Sequence, residues 1–326
     1  MGVMLTTGVP CSARFEVVTK SPLTGLMVGS SCGGPFGEAC KTAGWDGVII
    51  AGKADVPIII RIDENGASFE PAGSLWGQGT QEIQKSLNLT REEGAAVIGP
   101  AGENGVLYAN ICSGHRFAGR GGVGTVMGAK NLKAVVASGR KVRYEAVLPE
   151  KFTLNREKAR KFVKRNWMTK AYSAFGTNSN VRYGIKGGFS PVHNFRDRYH
   201  PDTEMTSGES MAQKYKTKQS GCRHCPILCG HEGKYTDGTI KKIPEYETIG
   251  MFGSNIDNYD TDLIGSWNEL LNELGMDSIS AGGTLAWAME AGEKGLRKTA
   301  LQFGKTHNIE KTLTDIAYKK GGLFRV

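Results

Sequence analysis

No stretch of this 326-residue chain approaches the ~18 consecutive apolar residues a spanning helix needs, which argues against an integral membrane protein. Met1 to Ser12 lack the charged and apolar regions of a signal peptide, and the seven cysteines are an odd number with four of them (Cys11, Cys32, Cys40, Cys112) widely spaced. A disulfide framework is therefore not expected, and the chain reads as a protein of the reducing cytoplasm. There are no internal repeats and no low-complexity tracts, so neither a solenoid nor a disordered tail is expected. The formal net charge of +9 would suit an acidic partner, yet the basic residues are scattered and neither zinc-finger spacing nor a stacking-aromatic RNA motif is present. Nucleic acid is not expected; an acidic electron-carrier protein is at least as good a partner, and a fragment separated from an acidic remainder would carry the same charge. Met1-Gly2 with Thr6 and Asn88-Leu89-Thr90 fit lipidation and glycosylation patterns too short to carry weight.

What is abundant is glycine. Its 45 residues are roughly twice the usual ~7% share and gather in short loops, where backbone can approach a ligand closely. Up to about residue 145 the chain reads as short β-branched strands broken by glycine: Gly47-Val48-Ile49-Ile50, Val56 to Ile62, Ala95 to Ile98 and Ala134 to Ala137. Helical spacing appears there only briefly, at Thr80 to Leu87. From Pro149 to Trp167, and again at Asp262 to Leu274, Gly282 to Ala291 and Ile309 to Lys320, apolar residues recur every three or four positions. The expected architecture is α+β, with a β-rich domain over residues 1–145 and a mainly helical one over 146–326; a polar stretch from Ser173 to Thr206 follows the boundary and is expected to help separate the two.

Cys222, Cys225 and Cys229 form a C-x2-C-x3-C run, and no later cysteine follows to serve as a fourth ligand. Soft thiolates gathered on one loop suit an iron–sulfur cluster or zinc better than they suit packing. His231 lies two residues on, so a Cys3His zinc site is one reading and a 4Fe-4S cluster with an outside ligand is the other; unligated buried thiols are the bland alternative. Two glycine-rich loops carry arginine: Arg14 to Gly37, and His115 to Gly124. Exposed backbone N–H groups and guanidinium forks are suited to phosphate, and two such loops suggest two phosphates; tight turns with surface-paired arginines would explain the same residues more plainly. Gly122-x-Gly124 loosely echoes a dinucleotide fingerprint, but without a preceding strand and in the wrong register, so a nicotinamide site is not expected. Glu245 and Glu247 follow the cysteine loop. A Glu-x-Glu pair is most often a solvated face, but a carboxylate beside a metal can serve as a base with its pKa raised by burial.

Several segments in order carry a resemblance. Val18 to Gly25 (VTKSPLTG), Gly99 to Asn104 (GPAGEN), Gly119 to Leu132 (GRGGVGTVMGAKNL), Cys222 to Gly230 (CRHCPILCG), Pro244 to Glu247 (PEYE) and Asn272 to Leu285 (NELGMDSISAGGTL) together resemble the tungsten-containing aldehyde ferredoxin oxidoreductase family, from about Pro10 to Lys320. The resemblance implies a tungsten or molybdenum ion held by two pyranopterins (tungstopterin or molybdopterin), a Mg2+ ion bridging their phosphates, and a neighbouring 4Fe-4S cluster. By this resemblance Arg14 and Arg116 are phosphate contacts, Ser31 and Phe117 offer backbone carbonyls to magnesium, and Gly33 and Gly119 are pterin contacts. Cys222, Cys225 and Cys229 are cluster ligands, and Glu247 lies close to the metal as proton acceptor or water-orienting group. Asn272, Gly275 and Asp277 match one pterin motif, with Asn272 where the family usually has aspartate.

The departures are as definite. Family members are close to twice as long, so the N-terminal segment, the second pterin motif, the fourth cluster cysteine and the active-site histidine are expected to lie outside this chain, as in a truncated product, an incomplete assembly or a frameshift. Ser266 and Glu269 stand where some members have a metal-bridging Glu-x-x-His, which removes support for a metal-bridged dimer while leaving homo-oligomer formation open. The expected activity of the complete protein is oxidation of an aldehyde to a carboxylic acid, with electrons passing through the cluster to ferredoxin. The alternatives are a family reductase of carboxylic acids or aromatic acyl thioesters, a zinc-stabilised binding module, and a nonfunctional fragment.

Overall fold

In the computed structural model, residues 1–139 and 145–321 are described. Eight strands fall in the first part: β1 (Phe15–Lys20), β2 (Met27–Cys32), β3 (Ile58–Asp63), β4 (Gly66–Pro71), β5 (Glu93–Val97), β6 (Ile111–Ser113), β7 (Arg116–Ala118) and β8 (Leu132–Ser138). Strands β1 and β2 form a separate antiparallel hairpin, and the other six make one mixed sheet in the order β4-β3-β8-β5-β6-β7, with only β3 and β8 running parallel. The apolar run Ala134-Val135-Val136-Ala137 of β8 sits in the middle of the sheet, buried on both faces, as such a run requires.

Alternation divides the sheet's side chains. Ile60, Ala96, Ile98 and Val135 pack on one face with Phe15, Phe36 and Cys40, beneath the hairpin and the helix Pro35–Thr42. Ile59, Ala95, Val97, Ala134 and Val136 pack on the other with Ile83 of the helix Thr80–Ser86. A fully buried ion pair, Lys133 with Glu103, lies at the sheet's margin, and Lys133 Nζ also donates to the Gln78 carbonyl at 2.8 Å.

The second part is mostly helical, with one small sheet of β9 (Lys218–Ser220), β10 (Gly230–Lys234) and β11 (Ile240–Lys242). Its core gathers Phe252, Ile264, Trp267, Leu271, Leu285 and Met289 from the helices Tyr246–Phe252, Thr261–Leu274 and Ser278–Glu293. Ala101, Val106 and Ala109 belong to the same apolar cluster. Backbone joins the parts too: Asn110 N donates to Gly275 O at 2.9 Å and Asp277 N to Tyr108 O at 3.0 Å. The α+β class is as expected, with about two helical residues for each strand residue.

Four expectations change. Gly47–Ile50 is not a strand, because both neighbours of β3 are already β4 and β8, and Ile49 is left exposed. The first part holds more helix than expected, with Pro35–Thr42, Pro100–Glu103 and Val123–Ala129 beside Thr80–Ser86. The stretch 173–206 does not separate the two parts; it folds into the helical one, where the buried Asn178 donates to the Pro244 carbonyl at 2.7 Å. The helix Pro149–Arg165 buries no residue, so its amphipathic spacing is not spent on the core.

Candidate functional site

A cleft of about 1790 Å³ opens between the hairpin, the β7 loop and the helical part. Arg14, Ser31, Gly33, Arg116, Phe117, Gly119, Cys222, Cys229, Glu247, Asn272 and Asp277 all line it. Gly275 and Cys225, singled out with them, do not. Gly275 caps the helix Thr261–Leu274 in a left-handed conformation (φ 74°) and backs onto Gly99, so it shapes the turn from behind.

The hairpin side is held by short local contacts. Arg14 Nε donates to Ser31 Oγ at 2.8 Å and Arg14 Nη2 to Ser31 O at 2.9 Å, so the carbonyl matched to magnesium already accepts from a guanidinium. Gly34 lies at φ 86°, and a Cβ there would meet Ser113 O at 2.1 Å. Only glycine fits both the dihedral and the space, and the turn it makes lets Phe36 N reach Ser113 Oγ at 3.1 Å. The loop Gly119–Gly122 does follow a strand, β7, contrary to the expectation from sequence. That strand is a three-residue antiparallel edge and opens no parallel β-α-β crossover, so this loop does not form the dinucleotide fingerprint its glycines loosely echo.

Across the cleft, Asp277 is buried and fully engaged. It caps the helix Ser278–Glu293 by accepting from Ile279 N at 3.0 Å, and its other oxygen accepts from Ser280 Oγ at 2.6 Å and Arg120 Nη1 at 2.7 Å. Its present role is thus to hold Arg120, a residue of the second glycine loop that sequence reasoning did not single out. Arg116 makes the matching contact to Glu245 at 3.0 Å, and Glu245 also accepts from Thr177 Oγ1 at 2.6 Å. Of the Glu-x-Glu pair it is therefore Glu245 that is fixed; Glu247 is exposed at the cleft wall and not buried as expected. Burial opposes the Arg116 charge, but the Cys222 thiolate, then Glu245 and Cys229, more than offset it and push its pKa up. Asn110 is buried in the same wall, and its side-chain oxygen has no hydrogen-bond partner.

The cysteine loop closes one end of the cleft. A Cβ on Gly33 would stand 3.2 Å from Cys222 Sγ and 3.4 Å from the Arg116 side chain, so glycine lets the hairpin come up against the thiol. Burial raises the Cys229 thiol first, and Glu245 adds to it. His231 does not face the thiols: Nδ1 lies 3.3 Å from Cys229 O and Nε2 3.1 Å from Ser173 O, which removes the fourth ligand of the zinc reading. Cys11 was set aside as widely spaced, yet its sulfur is 3.8 Å from Cys225 Sγ. Among the described residues no three His, Cys, Asp or Glu side chains converge at single-ion distance.

A β-rich wall carrying two arginine-bearing glycine loops thus faces, across one cleft, a helical wall with a thiol loop and an acidic turn. The family model for the aldehyde ferredoxin oxidoreductase N-terminal domain matches residues 1–139, and the one for domains 2 and 3 of that enzyme matches residues 154–325. The chain belongs to the aldehyde ferredoxin oxidoreductase family. It is 39% identical to a tungsten-containing aldehyde ferredoxin oxidoreductase of Pyrococcus abyssi, over 98% of this chain and 55% of that protein. To the enzyme of the same name from Pyrococcus furiosus it is 37% identical, again over 98% and 55%. The active-site complex BamBC of benzoyl coenzyme A reductase with 1,5-dienoyl-CoA has a similar structure, with a TM-score of 0.81, 26% identity, and coverage of 98% of this chain and 52% of that one. The chain thus spans about half the length of the curated relatives it matches.

Proposed function

We propose that this chain forms the cofactor-holding cleft of a tungsten- or molybdenum-dependent oxidoreductase that oxidises aldehydes to carboxylic acids, with ferredoxin or another acidic carrier taking the electrons. The observation that carries the reading is the convergence of eleven residues matched by family resemblance onto the walls of one cleft. The cleft's chemistry fits a bis-pterin group: Arg14, Arg116 and Arg120 border it, and the orphaned Asn110 oxygen waits in its wall for a donor. The thiols of Cys222, Cys225 and Cys229 supply the soft donors a 4Fe-4S cluster takes, and Gly33 leaves room at Cys222 that any larger residue would fill.

When bound, the metal–pterin group and the cluster would supply the two-electron and one-electron chemistry, respectively. The protein's part is to hold and orient. Arg14 and Arg116 offer guanidinium forks to phosphate, with Ser31 and Phe117 beside them as carbonyl donors for Mg2+. Gly119 lets backbone approach, and Asn272 lines the opposite wall. Asp277 fixes Arg120 at the seam between the two walls. Glu247, exposed in the cleft, takes the proton released as an aldehyde hydrate becomes the acid, or holds the water that forms the hydrate. In the complete protein, Glu247→Gln is expected to lower kcat of aldehyde-dependent dye reduction by about 10²-fold or more, the range general-base groups contribute; unchanged kcat would remove Glu247 from this role. Elemental analysis of the protein purified without oxygen is expected to find tungsten or molybdenum together with iron.

The likeness to the benzoyl coenzyme A reductase complex favours a second reading, reduction of an aromatic acyl thioester by the same site. Supplying reduced dye with acyl thioester, and oxidised dye with aldehyde, separates the two by which pair turns over.

A further inference from the structure

The helix Pro149–Arg165 carries seven basic residues and two acidic ones, and none of its residues is buried. The most sheltered of them, Phe152, Arg156, Ala159 and Val163, recur every three or four positions and turn toward the rest of the chain. The opposite face follows from the same period: Leu154, Lys158, Lys161 and Arg165 are all exposed on it, with Phe162 at its edge. Among the described residues no carboxylate pairs with any of the seven basic groups.

A helix that only had to stay soluble would alternate its charges at four-residue spacing. Here Arg156 and Arg160, Arg160 and Lys164, and Lys161 and Arg165 are like-charged at that spacing, an arrangement that opposes the helix; Glu157 offsets part of this at Lys161. Lys164 and Arg165 suit the negative end of the helix dipole, but Arg156 and Arg160 lie outside the last turn. The helix also stands beside the thiol loop, by two connections. A Cβ on Gly8 would lie 3.6 Å from Arg156 Nη1, and Cys11, three residues along, has its sulfur 3.8 Å from Cys225 Sγ. At the other end Asn166 closes this helix and caps the helix Trp167–Phe175, whose Ser173 carbonyl accepts from Gln219 Nε2 at 2.6 Å and lies 3.1 Å from His231 Nε2. Gln219 and His231 belong to β9 and β10, the strands on either side of Cys222 to Cys229.

We propose that the outward face of this helix, centred on Lys158, Lys161 and Arg165, is the docking surface for the acidic electron carrier, which rests on the reading above that such a carrier takes the electrons. Single electrons then pass from the reduced group at the thiol loop to the oxidised iron–sulfur centre of the carrier seated beside it. A helix of 17 residues is about 26 Å long, enough for one side of a transient redox encounter, in which under about 1,200 Å² is buried in all. Basic groups around Leu154 and Phe162 suit a partner that must be steered in and then released: opposite charge speeds the encounter, and a small apolar area leaves dissociation fast. An anionic membrane or a nucleic acid would also accept a basic helix, but neither has a reason to sit against the thiol loop.

The test is binding of an oxidised acidic ferredoxin to the full chain, followed by surface plasmon resonance across a salt series. The wild type is expected to bind with an on-rate that falls as salt rises. Lys158→Glu, Lys161→Glu and Arg165→Glu combined are expected to weaken binding about tenfold or more, chiefly in on-rate. Lys53→Glu, Lys298→Glu and Lys305→Glu combined make the same change in net charge elsewhere on the surface and are expected to weaken it less than about twofold. All six side chains are exposed, so both variants are expected to melt with the wild type. In the complete protein the helix variant is expected to raise KM for ferredoxin and to leave dye-linked turnover unchanged. Equal weakening by the two variants would show that net charge alone matters and would overturn the assignment to the helix. So would full affinity in the helix variant, or a loss there of binding to anionic vesicles or an oligonucleotide with ferredoxin binding intact. No ferredoxin binding by the wild type at any salt would instead sink the acidic-carrier reading, and this inference with it.

Discussion

The two walls of the cleft are made in different ways. On the β-rich side the geometry is set by backbone: a Cβ at Gly34 would meet Ser113 O at 2.1 Å, so chain segments touch where no side chain fits. On the helical side it is set by polar side chains, with Asp277 capping a helix while gripping Arg120, and Glu245 shared between Arg116 and Thr177. The first kind of wall has no graded response to change, because a methyl group either fits or displaces a strand. The second can lose one contact and keep the others. A cleft built from one of each has a fixed floor and an adjustable face.

The largest effect is expected at the fixed wall. Gly34→Ala adds a Cβ where there is no room, in a positive-φ, extended-ψ conformation that is essentially glycine-only and costs other residues about 1–3 kcal/mol, so a total loss of about 3 kcal/mol or more, or failure to fold, is expected in urea unfolding. A loss under about 1 kcal/mol would show that this wall yields after all.

Next comes the buried pair of Lys133 and Glu103. Glu103→Gln leaves the Lys133 ammonium, already disfavoured by burial, without its carboxylate, and about 3 kcal/mol of destabilisation is expected. The sign of the pH effect follows. The folded-state pKa of Lys133 is lowered, so the folded state binds the proton less tightly than the unfolded chain does. Protonation therefore costs stability below the folded value, and that cost fades as pH rises toward the unfolded value near ~10.4. The variant's urea midpoint should accordingly recover part of its deficit between neutral and alkaline pH; a deficit constant with pH would show that lost packing, not charge, is responsible.

At the adjustable wall the effects are smaller. Asp277→Ala removes a helix cap and the Arg120 contact together, and about 2 kcal/mol is expected by thermal unfolding, most of it retained by Asp277→Asn. Smaller again is the coupling of Arg116 to Glu245, partly exposed at the cleft: a double-mutant cycle with Arg116→Gln and Glu245→Gln is expected to give about 0.5–1 kcal/mol. A coupling as large as the loss at Glu103 would erase the distinction between the walls.

Much of the fixed wall was legible beforehand, since glycine clusters announce close backbone approach and a continuous apolar run such as β8 announces a central strand. The Gly47–Ile50 run misled because a strand needs a vacant neighbour, which composition cannot report. At the site, the loop cysteines and the arginines of the glycine loops were readable as residue types with a chemistry. Glu245 against Glu247 was not, since two glutamates one residue apart look alike until a helix start turns one toward Arg116 and leaves the other facing solvent. His231 likewise had ligand spacing, but β10 directs its ring to two backbone carbonyls.

The sequence by itself determined the α+β class, the family and the inventory of donors, because periodicity, glycine placement and ordered motifs are local properties of the chain. Only the tertiary structure decided which donors meet. Arg120 reaches Asp277 across 157 residues and Cys11 reaches Cys225 across 214, pairings fixed by how the hairpin and the helices pack on opposite sides of one cleft, which no local pattern encodes.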